Sequence, residues 1–250
     1  MMNNMTNTVK QLLILNILFF VGSYFVPQAT DLLALHYFES DKFQLWQPLS
    51  HMFMHGNLMH IFFNMFALVS FGSALEQFWG PKKFLFFYFS CGIGAALVHS
   101  GVNYYYFHDG LNTLITNGFQ KAEIFKILNE GKFMTSWQDV LSPSTFDAMI
   151  SALTPTVGAS GAIYGLLVAF AFMFPNAELA LMFIPVPIKA KYFVPAIVLL
   201  DLFSGVTGYS IFGGGIAHFA HVGGAVVGFL MMWYWKKNQF NNNRWDRKSF

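Results

Sequence analysis

Charge is what this chain of 250 residues has least of: Asp, Glu, Lys and Arg make up 10% of it, against about 25% in an ordinary soluble domain. That scarcity excludes a disordered, self-repelling chain and a soluble nucleic-acid binder with a basic face. Cysteine is nearly absent too. A single Cys91 excludes an intramolecular disulfide framework and any cysteine-based zinc site. Apolar residues fill the gap at 55%, among them 31 Phe, 10 Tyr and 6 Trp. A soluble core of this size has no room for so many rings, so an ordinary cytosolic enzyme is excluded as well. The composition is that of a multi-pass integral membrane protein.

A helix that crosses a bilayer needs about 20 mostly apolar residues, since each backbone polar group must be satisfied within the segment. Six stretches meet this need, at about 11–26, 52–78, 84–104, 157–174, 192–203 and 215–235. The fifth is short and carries Pro195. The first has only Lys10 as a basic flank and no small-x-small pattern after it, which predicts a retained helix rather than a signal peptide. Six spans put both termini on one side. Ten of the 14 Lys and Arg residues fall there, and only Lys42, Lys121, Lys126 and Lys132 fall opposite, which makes the termini cytoplasmic. The expected fold is therefore all-α, a single six-span domain over 1–250, with a bacterial inner membrane as the expected location. It has an outer loop at about 27–48, an outer insert at about 107–153 and a polar tail at about 238–250. The insert carries an amphipathic run (Ile115, Phe119, Ile124, Ile127, Leu128) followed by Trp137 and Leu141. Interfacial helices and a plain loop both fit that pattern.

Polar side chains inside apolar spans are costly and mark function by default. The second stretch opens with His51, His55, Gly56, Asn57, His60 and Asn64. His60 and Asn64 lie about 40° apart on one helical face. Gly56-Asn57 marks a later start for the helix proper. His51 and His55 then belong to the preceding segment, where they are expected to tie the outer loop down. Their i, i+4 spacing suggests zinc, but Met52 stands where a metalloprotease helix needs Glu, and no metal is assigned. The fourth stretch opens with Gly158-Ala159-Ser160-Gly161, with Tyr164 one turn on. A serine here is either helix glue bonded to a carbonyl one turn back or a nucleophile on a tight turn with free N–H groups beside it. The sixth stretch holds Ala220-His221-x2-Gly224. Two stripes of small residues, Gly161/Gly165/Ala169 and Ala220/Gly224/Gly228, let the fourth and sixth spans approach closely. That approach brings Ser160 and His221 together at matching depth.

These residues resemble the rhomboid family of intramembrane serine proteases, over most of the chain from about Trp46 to Gly228. The motifs are Trp46-Gln47, His51-x3-His55-x4-His60-x3-Asn64, Gly72-x3-Glu76, Gly158-Ala159-Ser160-Gly161 and Ala220-His221-x2-Gly224. The resemblance implies Ser160 as nucleophile and His221 as general base, a dyad without a third acid. It implies an oxyanion site from His60, Asn64 and the Ser160 N–H, and Tyr164 packed against the His221 ring. It implies single-span transmembrane proteins as substrates, membrane lipids as surroundings, and neither a cofactor nor nucleic acid. Gln47 departs from the family, in which Arg often follows the loop Trp. Asp201 is the nearest acid to the pair, but its place near a span end makes it more simply an interfacial residue, and it is not assigned. Two other readings stay in view: a protease-dead relative that binds transmembrane clients, and a small channel, which would need polar residues through the whole depth. Oligomeric state is not legible in the sequence.

Overall fold

The computed structural model describes residues 5–181, 184–209 and 217–238, and these are mostly helical. Helix α1 (Asn7–Phe25) leads through the short α2 (Ala29–Leu33) into the outer loop, which ends in α3 (Gln47–Ser50) and a 3-10 turn, His51–Phe53. Helix α4 (Leu58–Ala67) starts five residues after that turn and has its own cap. The Asn57 side-chain oxygen accepts the His60 N–H at 2.8 Å, satisfying one of the free donors at a helix start. A π-helical turn, Leu68–Gly72, carries α4 on into α5 (Ser73–Trp79). The helix therefore begins at Leu58, as Gly56-Asn57 announces.

Gly80, at φ +75°, breaks the chain before Pro81 opens α6. Proline suits that first position because its missing N–H would have no partner there. Helix α6 (Pro81–Thr116) is 36 residues long, about 54 Å at 1.5 Å per residue, and far exceeds the stretch predicted at about 84–104. It is followed by α7 (Lys121–Asn129), α8 (Pro143–Leu153) and α9 (Ser160–Met173). A two-stranded antiparallel hairpin, β1 (Glu178–Leu181) and β2 (Ile184–Lys189), then precedes α10 (Ala190–Thr207) and α11 (His218–Asn238). No strand was expected here. Among the described residues four helices are long and apolar enough to cross a membrane: Asn7–Phe25, Leu58–Trp79, Pro81–Thr116 and Ala190–Thr207. Helix α9 has only 14 residues, and α11 is diluted by His218, His221 and three glycines. Most of the tail expected at about 238–250 and the start of the sixth stretch near 215 lie outside the described residues.

Helices α6, α9 and α11 form the centre of the bundle, and small residues set their spacing. A Cβ at Gly224 would overlap the Gly161 carbonyl, and one at Gly228 would lie 2.8 Å from the Gly165 Cα. A Cβ at Gly161 or Gly165 would overlap Ala95 or Cys91 of α6. Cys91 is thus a small buried filler among close-packed helices. At one end of the bundle, the buried Glu76 accepts the N–H groups of Thr8 (3.3 Å) and Val9 (3.1 Å) and the Thr6 hydroxyl. A carboxylate from α5 so caps α1, whose own Thr6 side chain does not.

The insert at about 107–153 folds on itself. Trp137, Ile124, Leu128, Leu141, Phe146 and Met149 pack on Phe107, Leu111 and Leu114 of the α6 extension, with Tyr37 from the outer loop, as a second core. The amphipathic faces legible in the sequence are buried against protein here, apart from Ile115, which is exposed. The insert is thus helical and packed on its own core, not a plain loop.

Candidate active site

Ser160 is the first residue of α9, so its N–H is one of the four at a helix start that lack an intrahelical partner. The turn into α9 runs through Gly158 at φ +124°, a conformation that L side chains rarely adopt. The Gly158 N–H donates to the His51 carbonyl at 2.9 Å, tying the turn to the segment before α4. One turn inward, the close approach of α9 and α11 delivers the partner side chain. His221 Nε2 lies 2.8 Å from Ser160 Oγ, within the range for proton transfer. The Tyr164 ring stacks on the His221 ring at 4.3 Å between centroids and 10° between planes.

On the other side of Ser160 stands His60. A Cβ built on Gly158 would lie 2.7 Å from His60 Nε2 and 3.7 Å from Ser160 Oγ. Glycine at 158 therefore leaves open the space between imidazole and hydroxyl. The tautomer of His60 follows from its other nitrogen. The Gly56 N–H donates to Nδ1 at 3.4 Å, so the ring hydrogen resides on Nε2, the nitrogen facing that space. Asn64 is buried, and its Nδ2 donates to the His60 carbonyl one turn back at 2.8 Å. That bond uses one of its two N–H groups.

The outer loop is pinned by side chains bonded to backbone. Gln47 is fully buried; its Oε1 accepts the His36 N–H at 3.2 Å and its Nε2 donates to the Lys42 carbonyl at 3.0 Å. Glutamine thus anchors this loop through its backbone, with no cation at that position. His51 Nδ1 donates to the Gln47 carbonyl at 2.9 Å, and Trp46 Nε1 donates to the Leu32 carbonyl at 2.9 Å. A β-bridge from Leu35 to Thr156 joins the loop to the approach of α9. Burial lowers the His51 pKa to about 4, opposed by its backbone hydrogen bonds. His36 is lowered in the same way by burial, opposed first by its contact with the Asp31 carbonyl. His55 differs from its expected part. Neither of its ring nitrogens finds a hydrogen-bond partner among the described residues, and its ring packs edge-on against His60 at 5.1 Å. It is buried beside His60 and, among the described residues, makes no side-chain bond to the outer loop.

Asp201 is the residue that the sequence reading set aside, and it is not interfacial. Only 8% exposed, it holds Oδ1 2.6 Å from His218 Nδ1 and 3.2 Å from His221 Nδ1, while its Oδ2 accepts the Tyr164 hydroxyl. Gly205, one turn beyond Asp201, is the small residue that admits Phe219 and His218 of α11 against α10. Among the described residues, no group of three or more His, Cys, Asp or Glu is arranged to hold a metal.

The family model described as the Rhomboid domain matches residues 42–129 and 131–238. Rhomboid protein 1, mitochondrial, of Saccharomyces cerevisiae is 26% identical over 74% of this chain and 40% of its own length. The presenilin-associated rhomboid-like protein, mitochondrial, of Homo sapiens is 27% identical over 73% of this chain and 35% of its own. Rhomboid-like protein 15 of Arabidopsis thaliana is 32% identical over 42% and 27%. The chain thus spans two fifths or less of the length of these curated relatives.

Proposed function

This chain belongs to the rhomboid family and is a multi-pass membrane protein, and on that premise we propose that it is an intramembrane serine endopeptidase. Its substrates in this reading are single-span transmembrane proteins, cut near the outer membrane face. The carrying observation is the 2.8 Å contact of Ser160 Oγ with His221 Nε2 at the head of a helix with free N–H groups. His221 takes the Ser160 proton as the hydroxyl attacks the scissile carbonyl, then gives it to the leaving amine. His60 Nε2–H, the Ser160 N–H and the second N–H of Asn64 receive the oxyanion, each worth roughly 3 kcal/mol in the transition state. Water activated by His221 then releases the acyl group. Helical backbone blocks attack, so the substrate unwinds locally, and helix-breaking or small residues near the cut favour it.

The fold that serves this chemistry is one six-span domain over 1–250 with both termini cytoplasmic. Helix α9, with 14 residues, is its shortest span, α11 carries His218, His221 and three glycines, and lipids surround the bundle. The ten-to-four split of basic residues supports that orientation. The bacterial inner membrane expected from the sequence runs against the names of two of these relatives, which are mitochondrial. The proposal therefore keeps the multi-pass topology and its orientation and assigns no particular membrane. A protease-dead, client-binding member is the competing reading, and the polar residues of the site stand against it.

The test uses the chain in liposomes with a fluorescent single-span reporter. Ser160→Ala and His221→Ala are each expected to lower turnover by 10³-fold or more while melting near the wild-type temperature. Near-normal turnover in either variant overturns the proposal.

A further inference from the structure

Three elements of the bundle converge on one carboxylate. Asp201, buried on α10, receives His218 and His221 from α11 on a single oxygen, and Tyr164 from α9 on the other. We propose that Asp201 is a positioning residue of this site, holding the His221 ring and tautomer so that the Nε2 lone pair faces the Ser160 hydroxyl. The inference rests on the protease reading above and adds a third member to a pair that the family's pattern leaves without an acid.

Geometry separates this role from simple helix glue. Ionised carboxylates only accept hydrogen bonds, so the ring nitrogen facing Asp201 carries hydrogen. On His221 that nitrogen is Nδ1, at 3.2 Å from Oδ1, and Nε2 is thereby left as the acceptor 2.8 Å from Ser160 Oγ. The ring plane is fixed by the same group through a second path. Tyr164 stacks on His221 at 4.3 Å and donates its hydroxyl to Asp201 Oδ2. Rotation of the imidazole would therefore break the Nδ1 bond and the stack together. His218, at 2.6 Å, holds the carboxylate in place and shares its charge. When His221 accepts the serine proton it becomes an imidazolium with both nitrogens donating, and Asp201 is the anion beside it. Glue alone would be served as well by asparagine, but asparagine presents an amide N–H that favours the wrong tautomer.

The test compares wild type, Asp201→Asn and Asp201→Glu in liposomes with the single-span reporter. Asp201→Asn is expected to lose 10²- to 10⁴-fold in kcat with KM within about threefold, and Asp201→Glu to recover at least tenfold of that loss. Turnover of Asp201→Asn within about threefold of wild type, with Ser160→Ala inactive, overturns the positioning role and leaves the protease reading standing. Wild type that neither cleaves nor takes up a fluorophosphonate overturns the reading beneath it. A spectroscopic measurement on the wild-type protein keeps the idea testable if Asp201→Asn fails to fold. Nitrogen NMR of histidine-labelled protein, with the His221 signals assigned by their loss in His221→Ala, is expected to show the Nδ1–H tautomer. The Nε2–H tautomer refutes it.

Discussion

Gly158 does two things that no other residue type can do together. Its φ of +124° shapes the turn before Ser160, and its missing side chain keeps open the space flanked by His60 Nε2. Alanine there would strain the backbone and set a methyl group 2.7 Å from that nitrogen, displacing the donor proposed for the oxyanion. We expect Gly158→Ala to lower kcat by about 10²-fold or more with little change in KM, as read by steady-state kinetics. His60→Ala is expected to fall by a similar factor, since its Nε2–H is set as a donor by the Gly56 N–H on Nδ1. In the sequence, small-residue stripes point Ser160 and His221 toward each other and helical spacing puts His60 and Asn64 on one face, while their roles and that of Tyr164 come from the resemblance to the rhomboid family. The sequence does not name Asp201. One acid near the end of an apolar stretch looks the same whether it faces headgroups or a histidine, and only the rotation of α10 against α11 decides.

Helix packing is where small residues determine the distance between Ser160 and His221. Gly224 admits the Gly161 carbonyl where its Cβ would stand, so any side chain there must separate α9 from α11. Overpacking of this kind costs about 1–3 kcal/mol, and the separation also opens the Ser160–His221 contact. Gly224→Ala is expected to lower the melting temperature and abolish cleavage together. Gly22 of α1 is the control, with nothing within 4 Å of a built Cβ. Gly22→Ala should keep activity and hold or gain up to about 1 kcal/mol. The outer loop carries a different signature. His36 has its pKa lowered from 6.5 by burial, so its neutral form belongs to the folded loop. The associated stability is present above pH 6.5 and is lost as pH falls toward the lowered value. Protection factors across residues 33–38, taken relative to the intrinsic amide exchange rate at each pH, should therefore fall on acidification, and a flat profile would contradict this.

At the scale of the molecule two cores divide the work. The membrane bundle holds the site, and the insert closes a separate core around Trp137 against the far end of α6. Trp137→Ala should destabilise the insert by about 3–5 kcal/mol, seen as faster exchange over α7 and α8, without changing the reactivity of Ser160. Apolar runs made the multi-pass class legible, and amphipathic spacing located the buried faces of the insert. The 36-residue length of α6 was not legible. Polar residues such as Asn103, His108 and Asp109 end an apolar run without ending a helix, and it is tertiary packing that carries α6 on to Thr116. The β1–β2 hairpin escaped for a related reason, because a short apolar run with prolines has no clear period.

The central claim is that His221 activates the Ser160 hydroxyl. The most direct measurement is peptide mass spectrometry of the wild-type protein in liposomes after exposure to a fluorophosphonate. The account predicts a single phosphonyl adduct on Ser160, absent when His221 is replaced by alanine. An unmodified Ser160 in the wild type, or equal modification without His221, would contradict it.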